Sequence, residues 1–203
     1  MNILELFSGT GSVGKCCEEL GLHVVSVDME SKFNPTHLCN IMDFDYKQYS
    51  QDYFGIIWAS PPCTDYSALN RALPNKICNL HEADKLVAKS LEIIDYFKPY
   101  WWFMENPQTG TLKNREVVKD IPYYDVDYCM YCDWGYKKRT RIWTNKEVWE
   151  NKLCNKKCGF IVDGKHKNNL GNTKRKKITN GESYTLHDRY RIPPDLIYSL
   201  FLD

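Results

Sequence analysis

The chain has no run of about 18 consecutive apolar residues and no basic start leading into an apolar stretch, so nothing in it reads as a membrane span or a secretory signal peptide. It opens directly on the strand-like Ile3-Leu4-Glu5-Leu6-Phe7, and the expected setting is intracellular and aqueous, with no membrane partner. No repeat of roughly 20 to 50 residues is visible, which excludes a solenoid. At 203 residues the chain falls short of the usual length for two domains, so one buried core is expected. Net charge is nearly absent at +1, but its balance is uneven. Residues 1–136 carry 11 Lys and Arg against 19 Asp and Glu, whereas residues 137–191 carry 16 against 5. The basic part, with Lys156-Lys157 and Lys174-Arg175-Lys176-Lys177, suits a polyanion such as nucleic acid, or else a solvated loop. Nine cysteines, an odd count in a chain without a secretion signal, point to reduced thiols with catalytic or metal-binding duties rather than a disulfide framework.

The first two thirds alternate short apolar strands with helical stretches, as a parallel α/β sheet does. A strand over residues 2–7 enters a glycine-rich turn, and a helix from Val13 to Leu20 stops at Gly21. A strand from His23 to Val27 ends at Asp28, and one from Tyr53 to Ala59 ends in Ser60-Pro61-Pro62-Cys63. Thr64 to Leu80 reads as a long functional loop. Leu86, Val87, Leu91, Ile94 and Phe97 lie at helical spacing over residues 82–97, and Pro99 closes that helix. A strand from Tyr100 to Met104 then delivers Glu105-Asn106-Pro107 at its end. A short helix is predicted over Asn114 to Lys119, a hairpin from Tyr123 to Tyr131 and Thr140 to Thr144 around Trp134-Gly135, and a terminal helix from Pro193 to Phe201. The expected organisation is a core over 1–144, a small basic region over 145–182, and a C-terminal helix within 183–203 that returns to the core.

Phe7-Ser8-Gly9-Thr10-Gly11-Ser12-Val13-Gly14 places three glycines on a strand-to-helix turn, where a missing Cβ lets a cofactor approach the backbone. A structural turn, a dinucleotide site and a methyl-donor site all remain open on this pattern alone. Asp28, followed by Met29, stands 19 residues beyond Gly9, a spacing suited to an acid that bonds ribose hydroxyls. Pro62-Cys63 and Glu105 arrive at the strand ends where open α/β sheets bind ligands. A thiol fixed after two prolines can serve as a nucleophile or as a small buried side chain, and Glu105 can act chemically or merely cap a turn. Cys129-x-x-Cys132 and Cys154-x-x-x-Cys158, with His166 as an alternative ligand, have spacings that permit a structural zinc, although Cys129 can equally be plain core.

The order of these motifs resembles the DNA cytosine-5 methyltransferase family over about residues 1–144, with a weaker echo at 184–201. Glu5-Leu6-Phe7-Ser8-Gly9-Thr10-Gly11 is similar to the family's cofactor-binding opening, Asp28 to its ribose-binding acid and Asp43 to its adenine-amino partner. Pro62-Cys63 matches the nucleophile motif, continued by Thr64-Asp65-Tyr66-Ser67. Glu105-Asn106 matches the Glu-Asn pair, with Pro107 where Val is usual. Arg139-Thr140-Arg141 matches the end of the arginine motif, with Lys137 in the place of its Gln. Tyr190-Arg191-Ile192-Pro193-Pro194 matches the closing motif only in its last residues.

The resemblance implies a Rossmann-like S-adenosylmethionine-dependent methyltransferase fold with a small basic appendage. It implies transfer of methyl to carbon 5 of cytosine in double-stranded DNA. Cys63 would attack carbon 6, Glu105 would bond N3 and the exocyclic amine, and Arg139 and Arg141 would hold the substrate edge and depress the thiol pKa. Phe7, Ser8, Gly9, Thr10, Gly11, Asp28, Met29, Asp43 and Pro62 would bind S-adenosylmethionine. The target base would be flipped out, with the Thr64–Leu80 loop as lid. So compact a layout is similar to methyltransferases of bacteriophages and large DNA viruses, which would place the protein in a host cell's cytoplasm or nucleus. Two other readings stay open: an RNA (tRNA) cytosine-5 methyltransferase, and a catalytically silent nucleic-acid-binding regulator.

Overall fold

A computed structural model of the chain describes residues 1–67, 70, 72–73, 75, 77–168 and 185–202. The run Lys174 to Lys177, and part of the Thr64–Leu80 loop, lie outside the described residues. Seven strands form one sheet: β1 (Asn2–Leu6), β2 (His23–Asp28), β3 (His37–Leu38), β4 (Ile56–Ala59), β5 (Trp101–Pro107), β6 (Tyr123–Asp127) and β7 (Arg139–Thr144). Their order is β3-β2-β1-β4-β5-β7-β6. β3, β2, β1, β4 and β5 are parallel, and β7 enters antiparallel between β5 and β6. The order reverses beside β1, so the turn after β1 opens into the crevice at the C-terminal edge of the sheet, the ligand side of such folds. The α/β expectation is met.

Burial explains why these segments pair. β1 and β4 are buried on both faces, as strands covered by helices must be. One face packs under α2 (Leu80–Phe97), which buries Ala83, Val87, Ser90, Ile94 and Phe97 at helical spacing. Asn79 caps its start by accepting from the Glu82 N–H at 3.2 Å. The chain leaves it through Lys98 in the left-handed region (φ 47°), just before Pro99. The other face lies under α1 (Ser12–Glu19) and α4 (Pro194–Leu202), where Val13, Cys17, Leu196 and Leu200 meet Ile3, Trp58 and Phe103. The Lys146 ammonium donates to the Leu200 carbonyl at 2.8 Å and lies 4.1 Å from the Trp101 ring, so it neutralises the C-terminal dipole of α4.

Five segments differ from the sequence expectation. β5 continues through Pro107, because the antiparallel β7 supplies it with partners as far as Thr140. β6 ends at Asp127, and residues 128–130 turn in a single 3-10 turn that sends Tyr128 inward. Residues 114–119 form no continuous helix; two 3-10 turns at Leu112–Asn114 and Glu116–Val118 take their place. A short helix α3 (Leu186–Tyr190) precedes α4. Residues 145–154, expected in the basic region, lie against the sheet: Trp149 is buried against Tyr124 and Tyr131. Beyond them a two-stranded ribbon, β8 (Ile161–Val162) with β9 (Lys165–His166), stands apart from the main sheet. Among the described residues no helix is long and apolar enough to cross a membrane.

Candidate active site

The turn after β1 is built around two acids. Gly9 and Gly11 adopt positive φ (47° and 66°), and Phe7 does so as well at 58°, a conformation that costs a side-chain-bearing residue energy and recurs at ligand sites. Asp28, at the end of β2, fastens this turn: its carboxylate accepts from the N–H groups of Gly9 and Glu30, each at 2.8 Å. Beneath the turn, Glu5 is 3% exposed and accepts from the Gly14 N–H at the start of α1 at 3.1 Å. Gly14 is required by that approach, since a Cβ there would fall 2.7 Å from the Glu5 carboxylate.

Burial pushes the Glu5 carboxyl up from 4.5 to about 8, against the opposing effect of the Gly14 and Val13 N–H groups. The folded state therefore holds a proton that the unfolded chain releases near pH 4.5. Stability from this group is complete below about pH 4.5 and is lost as pH rises toward about 8. Glu5→Gln should flatten the pH dependence of the melting temperature across that window. The difference is on the order of a few kcal/mol, since each pKa unit is about 1.4 kcal/mol. An unchanged slope in calorimetry would assign the dependence to other groups.

Cys63 follows β4 and is partly exposed. Its loop is held from two directions. The Asn106 amide donates to the Pro61 carbonyl at 2.8 Å. Tyr66, fully buried, donates through its hydroxyl to Asp84 and accepts the Thr111 N–H at its carbonyl, both at 2.9 Å. Asp84 is in turn gripped by Arg115 through two nitrogens, at 3.0 and 2.6 Å, so the Cys63 loop is tied to α2 and to the segment after β5.

The structure brings Cys63 within electrostatic reach of Glu105 and Lys138. Glu105, in β5 and 7% exposed, lies 3.7 Å from the Lys138 ammonium and accepts from the Tyr128 hydroxyl at 3.3 Å. Burial and then the Glu105 charge push the Tyr128 phenol well above its usual value, so it remains a donor. Burial also pushes the Cys63 thiol up, with Glu105 adding to the rise and Lys138 opposing it.

Arg139 and Arg141, expected beside the substrate and the thiol, are held elsewhere. Arg139 makes two bonds to Asp127, at 2.9 and 2.7 Å, and Arg141 two to Asp125, at 2.8 and 3.0 Å. Among the described residues, the cation that opposes the rise of the Cys63 thiol is Lys138. Side chains alternate between faces along a strand, so Lys138 falls with Thr140 and Ile142, and Ile142 pairs with Glu105. Lys137, at the position of the family's Gln, lies 3.3 Å from Asp127. Lys138→Met should move the acid limb of Cys63 alkylation to higher pH and slow alkylation several-fold at a fixed pH below the thiol pKa. Arg139→Met should leave that limb in place. Equal behaviour of the two variants would remove Lys138 from the site.

A cleft of about 310 Å³ adjoins the loop, lined by Asn40, Met42, Pro62, Asp65, Ala83 and Leu86 among others. Of the residues expected to bind cofactor, Pro62 lines it; Asp43 does not, and Asn40, which caps the 3-10 turn at Ile41–Asp43, does. Met29 is 68% exposed at the end of β2. Tyr128, Lys138 and Asn40 were not singled out from the sequence. Only the alternation of β7 against β5 could have pointed to Lys138.

Residues 1–123 match the C-5 cytosine-specific DNA methylase family. Over 218 aligned residues, 98% of each chain, the protein is 35% identical to a probable DNA (cytosine-5)-methyltransferase of Frog virus 3 (isolate Goorha). Solved structures share the fold. A putative DNA modification methyltransferase from an E. coli prophage superposes with a TM-score of 0.51 at 14% identity, over 71% of this chain and 46% of its own. The Entamoeba histolytica methyltransferase EhMeth does so with a TM-score of 0.50 at 18% identity, over 76% and 55%. The chain thus spans about half the length of those solved proteins. With its Pro62-Cys63 loop, its Glu-Asn pair and its glycine turn gathered at one sheet edge, the chain belongs to the C-5 cytosine-specific DNA methylase family.

Proposed function

We propose that the protein transfers a methyl group from S-adenosylmethionine to carbon 5 of cytosine in double-stranded DNA, with Cys63 as covalent nucleophile. The observation that carries this reading is the meeting of Cys63, Glu105 and Lys138 beside the glycine turn. The residues present fit the methyl donor: glycine backbone at positive φ, the Asp28 carboxylate fastened to that turn at the end of β2, and exposed apolar surface at Met29 and Met42. Phe7, Ser8, Gly9, Thr10, Gly11, Asp28, Met29, Asp43 and Pro62 would hold it, with Asn40 lining the adjoining cleft. Asp43 remains a neighbour of the adenine end on this reading, within one turn of Asn40. When bound, S-adenosylmethionine supplies an electrophilic methyl group to carbon 5.

The chain's own residues make carbon 5 reactive. Cys63 Sγ, as thiolate, bonds carbon 6 and turns the ring into an enamine. Glu105 bonds N3 and the exocyclic amine, stabilising the charge that develops there. Lys138 favours the thiolate. After transfer, loss of the carbon-5 proton to water restores the double bond, and the carbon 6–sulfur bond breaks to return Cys63. A cytosine in a duplex must leave the stack to reach this edge, and the loop after Cys63, with Ile77 93% exposed, serves as the lid. The basic run Lys174–Lys177 supplies phosphate contacts.

The reading is tested by trapping. Protein is incubated with S-adenosylmethionine and matched DNA and RNA duplexes carrying 5-fluorocytosine, whose fluorine cannot leave as a proton does. A denaturation-resistant adduct through Cys63 on DNA is expected. An adduct on RNA alone would move the substrate, and its absence on both despite methyl-donor binding would overturn the catalytic reading.

A further inference from the structure

Away from the active site, four ligand-bearing side chains converge. Cys129 stands on the 3-10 turn after β6, Cys154 and Cys158 on the following loop, and His166 on β9. Their ligand atoms all lie within 4.8 Å of one another, the one such group of a size to hold a metal ion among the described residues. His166 Nε2 is 3.5 Å from Cys154 Sγ and 3.4 Å from Cys158 Sγ. Zinc–sulfur and zinc–nitrogen bonds of about 2.3 and 2.05 Å at a tetrahedral angle require a sulfur–nitrogen edge of roughly 3.6 Å. These two edges match it to within about 0.2 Å. Cys132, the nearest alternative by sequence, is turned away, its thiol bonded to the Tyr128 carbonyl at 3.1 Å.

We propose that Cys129, Cys154, Cys158 and His166 bind one structural zinc ion that fastens the 154–166 loop and ribbon to the end of β6. Three thiolates and an imidazole fill a tetrahedron and leave no open position, which marks a structural site rather than a catalytic one. The surroundings are those of a thiolate–metal site. The Lys156 N–H donates to Cys154 Sγ at 3.3 Å, and the Cys154 N–H to Asp127 at 2.8 Å. Positive φ at Lys156 (71°) and Gly159 (83°) folds the loop back so that both of its thiols face His166. Lys156 and Lys157 lie between the two thiolates in sequence and offset the net negative charge of the complex.

The segment needs such a clamp. β8 and β9 hold two residues each, and a ribbon of that size has no stability of its own in water. Zinc binding then supplies the folding free energy that its core cannot. Asp127 links this centre to Arg139 and Lys137, so the metal also braces the strand that leads to Lys138. Lys174 lies eight residues after His166, so the ion fixes the base from which the basic run departs.

The test is metal analysis by mass spectrometry on the full chain purified under reductant without added chelator, with about one zinc per chain expected. Cys158→Ala and His166→Ala should lose most of it, while Cys132→Ala retains it. Cobalt(II) in place of zinc should give the visible bands of tetrahedral coordination together with thiolate charge transfer. Should the ligand variants fail to fold, chelation of the wild type followed by zinc re-addition should lower and then restore the melting temperature. Metal-free protein that takes up no zinc or cobalt would overturn the proposal, as would equal loss in Cys132→Ala or a disulfide among Cys129, Cys154 and Cys158. Each readout is independent of methyl transfer, so such a failure would leave the cytosine-5 reading standing.

Discussion

Cys63→Ser is expected to abolish methyl transfer, by at least about a thousandfold, while the fold and methyl-donor binding persist. A serine hydroxyl at neutral pH lacks the ionised form that adds to carbon 6, and losing a covalent nucleophile costs on the order of 10³ to 10⁶ in rate in enzymes that depend on one. The replacement changes one atom of a partly exposed side chain in a loop already fixed by Asn106, Tyr66 and Asp84, so circular dichroism and melting should hardly change. Calorimetry with S-adenosylmethionine separates the two effects. Retained turnover would end the covalent mechanism; lost cofactor binding would mean that Cys63 shapes the cleft instead.

Asp127→Asn should destabilise the fold by about 2–4 kcal/mol, the lower part of the range for breaking a buried ion pair, because Arg139 keeps 32% of its side chain in solvent. Asp127 itself is fully buried and accepts from Arg139, from the Cys154 N–H and, at 3.3 Å, faces Lys137. Burial alone would push its carboxyl up, but these donors more than offset that and hold it below 3.8. The stabilisation is present above the unfolded value and is lost as pH falls through the folded one, so the wild type should shed stability in acid faster than the variant. Denaturant melts of both proteins between pH 3 and pH 7 check this. A variant as stable as wild type at pH 7 would show that Arg139 is free to serve the substrate, as the sequence motif implies.

Those two residues show where sequence reading stops. Cys63 was legible: two prolines and a thiol at the end of an apolar strand can hardly be placed elsewhere than at the ligand edge of a parallel sheet. Glu105 was legible for the same reason, and so was the glycine turn before α1. The roles of Arg139 and Arg141 were not. An arginine pair in a strand has the same spacing whether it faces a substrate or two aspartates, and Asp127 and Asp125 stand 12 and 16 residues from their partners Arg139 and Arg141 in sequence. Their register with β7 decides the matter, and register is set by pairing across β5 and β6.

The sequence by itself determined the α/β class and the order of the strands that bring the Cys63 and Glu105 motifs to the sheet edge, because local patterns of burial and turn chemistry are written in neighbouring residues. Tertiary structure alone decided which cation faces the thiol, which asparagine lines the cleft, and which three of the four cysteines around the hairpin meet His166. Each of these depends on groups far apart in sequence whose distances are fixed only once the sheet closes and its two faces are covered.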